Sequence, residues 1–199
     1  LITRANFILW SGIILGQILD IAAQSERSPE YALVIDAGSS GSRIHVYKYS
    51  WDPNADPDRA FPNVELPDKK FKITPGLSSF ALNPQDAGSS MKGLVAFAEE
   101  HVPVEDRNST VLALSATAGL RMISEEARNA ILDSCFSWLL KNSPFVIRRD
   151  LISVISGKEE GAYGWLSINF LHGRLSGMEN AKEGTIGGIE VGGASSQVT

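Results

Sequence analysis

The chain has 199 residues, 43% hydrophobic and 21% charged, enough for one globular domain with a real core. Its formal net charge of -5 argues against general nucleic-acid binding, which draws on a basic surface. The single cysteine, Cys135, rules out a disulfide within the chain and a Cys/His zinc centre, and it reads as a buried thiol.

Arg4 precedes an apolar run over residues 7–15, and Ile21-Ala22-Ala23 suits a signal-peptidase site. Residues 1–23 therefore read as a secretory signal peptide or a signal anchor, with 24–199 as the globular part. Gln17 and Asp20 break the run before the ~20 apolar residues that a span needs, which favours cleavage over a membrane anchor. Asn108-Ser109-Thr110 is an N-glycosylation sequon, meaningful in a secreted chain. The last residues, Gln197-Val198-Thr199, fall inside an expected strand, so the chain is expected to be an N-terminal piece of a longer protein.

Residues 31–35 predict a strand, residues 36–41 a glycine/serine turn, and residues 43–49 a second strand of alternating pattern, together a hairpin. Residues 51–67 hold four prolines and read as an exposed loop. A short strand is expected at 71–73. Asn83-Pro84 pairs a capping side chain with proline at the first helical position, and Met91, Leu94, Val95 and Ala98 follow at helical spacing. A buried strand is expected at 111–114. Ser124 caps a helix whose apolar face carries Ala127, Ile131, Cys135 and Trp138, with Glu125 and Glu126 in its first turn. Then come a strand at 151–155, a helix at 159–171 and a second hairpin beginning at 186–191. Strands alternating with helices predict an α/β domain, and the opening hairpin predicts a mixed sheet.

The two hairpin turns echo one another. The first reads Asp36-Ala37-Gly38-Ser39-Ser40-Gly41-Ser42 and the second Glu190-Val191-Gly192-Gly193-Ala194-Ser195-Ser196. In each, an acid ends an apolar strand, a glycine stands two residues on, and a serine four beyond that. Glycine permits positive φ and close approach of a ligand, and successive N–H groups in such a turn form an anion site. An acid at the strand end can hold a metal, directly or through water. The plain alternative is a pair of tight turns with glycine for geometry and serine for solubility. Neither loop is a Walker motif.

Ser115-Ala116-Thr117-Ala118-Gly119-Leu120-Arg121 leaves space at the end of a strand. Thr117 there is a candidate for metal or water, and Arg121 either holds a phosphate or braces a loop. Ser156-Gly157-Lys158-Glu159-Glu160-Gly161 offers a general base. On a helix Glu159 and Glu160 point about 100° apart, so only one can face a site. His45, His101 and His172 lie on unrelated elements and suggest no metal cluster. No Gly-x-Ser-x-Gly elbow is present.

Four segments in order resemble the apyrase, or ecto-nucleoside triphosphate diphosphohydrolase, family. They are Asp36-Ala37-Gly38-Ser39-Ser40-Gly41-Ser42-Arg43, Ala116-Thr117-Ala118-Gly119-Leu120-Arg121, Gly157-Lys158-Glu159-Glu160-Gly161-Ala162-Tyr163-Gly164-Trp165 and Gly192-Gly193-Ala194-Ser195-Ser196-Gln197. Pro75-Gly76-Leu77-Ser78 matches a further family segment. The resemblance implies a ribonuclease-H-like lobe of the actin, heat-shock ATPase and sugar-kinase superfamily, with a second lobe absent. It implies that water attacks the terminal phosphate of a nucleoside di- or triphosphate carrying Ca²⁺ or Mg²⁺. Glu160 corresponds to the base, and Ser195 and Gln197 to residues that position the water. Asp36, Thr117 and Glu190 correspond to the metal environment, mostly through water. Ser39, Ser40, Gly41, Ser42, Arg43, Gly193, Ala194 and Ser195 correspond to the phosphate loops, with Arg121 in support. Glu190 departs from the family's usual Asp by one methylene. A catalytically weak nucleotide- or glycan-binding protein and an exopolyphosphatase-like enzyme are the alternatives. The piece alone is expected to be inactive, and the sequence says nothing of oligomeric state.

Overall fold

In the computed structural model, residues 31–52, 61–191 and 195–199 are described. The expected signal segment, and with it Gly193 and Ala194 of the second turn, lies outside them. The described residues fall into two compact units, one of residues 31–49 and 64–155, the other of residues 50–52, 61–63, 156–191 and 195–199.

The first unit is a mixed sheet backed by helices. Strands β1 (Tyr31–Gly38) and β2 (Gly41–Ser50) form the predicted hairpin, joined through Ser39 and Ser40. With β3 (Asn63–Val64), β4 (Lys69–Ile73), β5 (Val111–Ala116) and β6 (Val146–Val154), the sheet has six strands in the order β3-β2-β1-β5-β6, with β4 also pairing β2. β2 runs antiparallel to β1 and β4, whereas β5 runs parallel to β1 and β6. The parallel pairs need crossovers, and α4 (Glu125–Asn142) supplies one between β5 and β6.

One sheet face forms the core. Leu33, Ile35, Ala37, Ile44, Val46, Leu112, Leu114, Ala116 and Ile152 pack against Met91, Leu94, Val95, Ile131, Cys135 and Leu139. The helical side of that layer comes from α2 (Lys92–His101) and α4, both read from 3.6-residue spacing. Ser124 caps α4, its hydroxyl accepting from the Ala127 N–H at 3.2 Å. Burial pushes the Cys135 thiol up to about 12, which suits a plain core residue.

The structure corrects three expectations in this unit. The helix expected from Asn83 is broken into a 3-10 turn (Pro84–Asp86), α1 (Ala87–Ser90) and α2, and Asn83 makes no side-chain cap. The cause is Gly88, whose N–H donates to Ser134 Oγ at 3.0 Å and whose bare Cα lies against the Ser134 backbone of α4. Next, β2 is buried on both faces. His45, Tyr47 and Tyr49 are as buried as Ile44, and His45 Nδ1 lies 2.5 Å from Asp68 Oδ2. Finally, Gly38 and Gly41 do not adopt positive φ. Their use is close approach: a Cβ at Gly41 would collide with the Ile73 carbonyl and the Lys72 side chain.

In the second unit, α5 (Gly157–Leu171) begins at a capping box. Ser156 Oγ accepts from the Glu159 N–H while Glu159 Oε2 accepts from the Ser156 N–H at 2.7 Å. Strands β7 (Ile189–Val191) and β8 (Ser196–Val198) form a two-stranded sheet. Buried Asn169 ties residue 186 to α5, its amide donating to the Ile186 carbonyl and its Oδ1 accepting from the Ile186 N–H.

Candidate active site

The candidate residues form two sets, one in each unit. In the first, Asp36 ends the β1 run beside the exposed Ser39-Ser40 turn. The parallel β1/β5 register sets Asp36 opposite Ser115, and the antiparallel β1/β2 register sets it opposite Arg43. These three residues therefore share a sheet face, the one turned away from the aliphatic core. Thr117, at the carboxyl end of β5, is nearly buried, and its N–H donates to the Ala37 carbonyl at 3.2 Å. The carboxyl ends of β1 and β5 thus lie at one edge, where open α/β sheets bind ligands.

The turn is fixed from two sides by glycines. A Cβ at Gly76 would sit 2.6 Å from the Ser39 carbonyl oxygen, and one at Gly119 would sit 2.9 Å from Ser39 Cα. This accounts for Pro75-Gly76-Leu77-Ser78 and for the glycine after Thr117: each lets backbone touch the turn where a methyl would push it out of register. Arg121 Nη1 donates to the Ile155 carbonyl at 2.7 Å, bracing α3 (Ala118–Arg121) against the segment that follows β6.

Ser42 stands apart from the other residues of the first turn. It pairs with Ala37 and Ile73 on the core face, and its hydroxyl is fully buried with no partner among the described residues. A role for its side chain on phosphate, expected from the sequence, is not supported by this placement. Strand parity explains it, because Arg43 and Ser42 must point to opposite faces.

In the second set the two adjacent glutamates have separated as helix geometry demands. Glu159 is exposed and spends its carboxylate on the capping box, which holds it below the usual carboxylate range. Glu160 is 4% exposed, and its Oε2 accepts from Gln197 Nε2 at 3.2 Å. Gln197 is itself buried and faces Glu190 across β7/β8. Gly161 faces the same strand, where a Cβ would crowd Thr199 Cγ2 at 3.1 Å and make ordinary contact with Gln197 Cβ at 3.8 Å. The longer arm of Glu190 lies along α5, its Oε2 3.6 Å from where a Gly164 Cβ would be. Ser195, just before β8, is half-buried.

Three features escaped the sequence reading. Ser156-x-x-Glu159 is a capping-box signature that would have assigned Glu159 to the helix end and left Glu160 as the inward acid. The positions of Gly76 and Gly161 show their purpose only once the elements they touch are known. Lys72, whose Nζ donates to Ser40 Oγ at 3.2 Å, follows from the β2/β4 register alone.

A mixed α/β sheet that opens with an antiparallel hairpin and is backed by helices has the ribonuclease-H-like fold expected of a lobe of the actin, heat-shock ATPase and sugar-kinase superfamily. Residues 22–199 match the model of the GDA1/CD39 (nucleoside phosphatase) family, and the chain belongs to that family. It is 42% identical over 170 residues to a guanosine-diphosphatase of Schizosaccharomyces pombe, covering 85% of this chain and 29% of that protein. It is 41% identical over 178 residues to a nucleoside-triphosphatase of Pisum sativum, covering 89% and 37%. A Golgi apyrase of Schizosaccharomyces pombe is 38% identical over 180 residues, covering 85% and 31%. The fold is similar to that in the crystal structure of nucleoside triphosphate hydrolases from Neospora caninum, with TM-score 0.60 and 24% identity over 85% of this chain and 38% of that one. The chain thus spans about a third of the length of the relatives it matches.

Proposed function

We propose that the full-length protein hydrolyses terminal phosphates of nucleoside di- or triphosphates, with Glu160 as general base. The observation that carries this reading is the burial of Glu160 against the Gln197 amide. A carboxylate kept from bulk water and oriented by a fixed amide donor is suited to take a proton from a single water. Its neighbour Glu159 is spent on the helix cap and is no rival for the role. Gln197 and Ser195 hold that water. Its oxygen attacks the terminal phosphorus as the bond to the bridging oxygen breaks, and the proton passes to a Glu160 oxygen.

The Ser39-Ser40 turn supplies backbone N–H groups to phosphate oxygens, and Arg43 adds positive charge. Gly193 and Ala194 are the corresponding positions of the second turn. A hard divalent cation, Ca²⁺ or Mg²⁺, fits the donor set. In the first unit Asp36 would supply a carboxylate and Thr117 a hydroxyl, and in the second unit Glu190 would supply a carboxylate. Among the described residues no group of three or more His, Cys, Asp or Glu could enclose an ion. An ion that keeps its waters and arrives with the substrate's phosphates needs no cage of protein carboxylates. Bound there, the cation would neutralise charge on the phosphate chain.

Secretory-pathway residence accords with the sequon, whose Asn108 is exposed. Among the described residues no helix is long and apolar enough to cross a membrane. The test is to assay full-length protein against ATP, ADP, UDP, GDP and inorganic polyphosphate, with Ca²⁺, with Mg²⁺ and with EDTA. Metal-dependent phosphate release from at least one nucleotide is expected. Release from polyphosphate alone, or from nothing, would contradict the reading.

A further inference from the structure

The sheet face opposite the aliphatic core carries a polar row that reaches past the residues already discussed. Read across the strands in register, it runs Ser153 on β6, Ser115 on β5, Asp36 on β1, Arg43 on β2 and Lys72 on β4. Cross-strand partners lie on the same face. Lys72 is therefore the far end of the row that begins at the strand-end acid and its arginine.

Lys72 and Arg43 stand directly opposite each other on an antiparallel pair. Asp36 stands opposite Arg43 on the other side, so Lys72 adds a second cation one strand further along the row. Lys72 is exposed, and its side chain bends over the turn. Its Cε would lie 2.7 Å from a Cβ at Gly41, and its Nζ donates to Ser40 Oγ at 3.2 Å. An ammonium has three N–H donors, and the serine uses one of them. Lys70 shares this face but sits two residues back, opposite His45, whereas Lys69 points to the other face opposite Val46.

We propose that Lys72 is a phosphate-binding residue: its ammonium and the Ser40 hydroxyl share an oxygen of the substrate's phosphate chain, beside the N–H groups of the Ser39-Ser40 turn. The inference rests on the nucleotide-hydrolase reading for its substrate, but it concerns a side chain outside the four motifs. Gly41 is held to glycine first by the Ile73 carbonyl, and the lysine stem crosses the same space. Lys72 acts as a compact point charge, and arginine should replace it in part.

The test uses full-length Lys72→Met, Lys72→Arg and Lys69→Met, assayed for hydrolysis of ATP and GDP and titrated with inorganic triphosphate by calorimetry. Lys72→Met should raise KM about tenfold with kcat changed less than threefold, because a contact made equally before and during reaction shows in KM. It should also weaken triphosphate binding and flatten its dependence on salt. Lys72→Arg should recover part of the loss, and Lys69→Met should match wild type. Lys72→Met within twofold of wild type in KM and in triphosphate affinity overturns the proposal, as does an equal loss in Lys69→Met. If wild type hydrolyses no nucleotide yet binds triphosphate in a Lys72-dependent way, the hydrolase reading falls and the lysine's role stands. If wild type neither hydrolyses nor binds, both fall.

Discussion

The two glycine/serine hairpins share a sequence logic and differ in how they are held. The first is central in a six-stranded sheet, and glycines at 76 and 119 let two neighbouring segments press on its turn. The second is a two-stranded sheet whose Ile189, Val191 and Val198 are 67%, 75% and 80% exposed. What holds it is one inward face, where Gln197 meets Glu160 and Glu190 lies along α5. Similar loops thus draw their order from different sources, sheet packing in one case and a few polar contacts to one helix in the other. The first hairpin should yield to steric change and the second to loss of a hydrogen bond.

The largest departure should come from the second hairpin. Gln197→Ala removes a fixed donor to Glu160 and should lower kcat about 100-fold, with a much smaller loss of nucleotide affinity and the far-UV circular dichroism unchanged. A loss mainly in KM would mean that the amide serves binding instead. Gly119→Ala tests the first hairpin. The added methyl meets Ser39 Cα, so the turn must move, costing about 1–3 kcal/mol of stability by denaturant unfolding and about tenfold in kcat/KM. A neutral Gly119→Ala would show that the turn tolerates displacement.

Glu159→Ala separates the adjacent acids. It should cost about 0.5 kcal/mol at pH 7 and leave turnover near wild type, because this carboxylate serves only the helix start. Glu159 is held below its unfolded value, so its contribution is present above that value and lost as pH falls through the folded one. The stability gap between wild type and Glu159→Ala should therefore close in acid. The smallest effect belongs to Cys135. With burial raising it to about 12, it should not react with a thiol reagent at pH 8 until the protein is unfolded.

Periodicity made much of this lobe legible in advance. The β1/β2 hairpin, the α4 face with its Ser124 cap, and α5 all follow from local spacing. Long-range packing set the rest. Asn83 and Pro84 carry a helix-start signature, yet Gly88 docking on α4 breaks the helix at its first turn. The first half of β6 stayed hidden because Arg148, Arg149 and Asp150 interrupt its apolar pattern. An end strand tolerates such exposed charges, and the β5/β6 register shifts just there. In the site, the motifs named the acids but not their partners. The pairing of Glu160 with Gln197 needs β8 to lie on α5, and Lys72 needs the register of β4 against β2.

The most direct test of the account is Glu160→Gln in the full-length protein, with single-turnover hydrolysis and nucleotide binding measured on the same preparation. Hydrolysis should fall by about three orders of magnitude, and the dissociation constant for nucleotide should stay within threefold of wild type. Turnover near the wild-type rate would remove Glu160 as the base and with it the proposed mechanism.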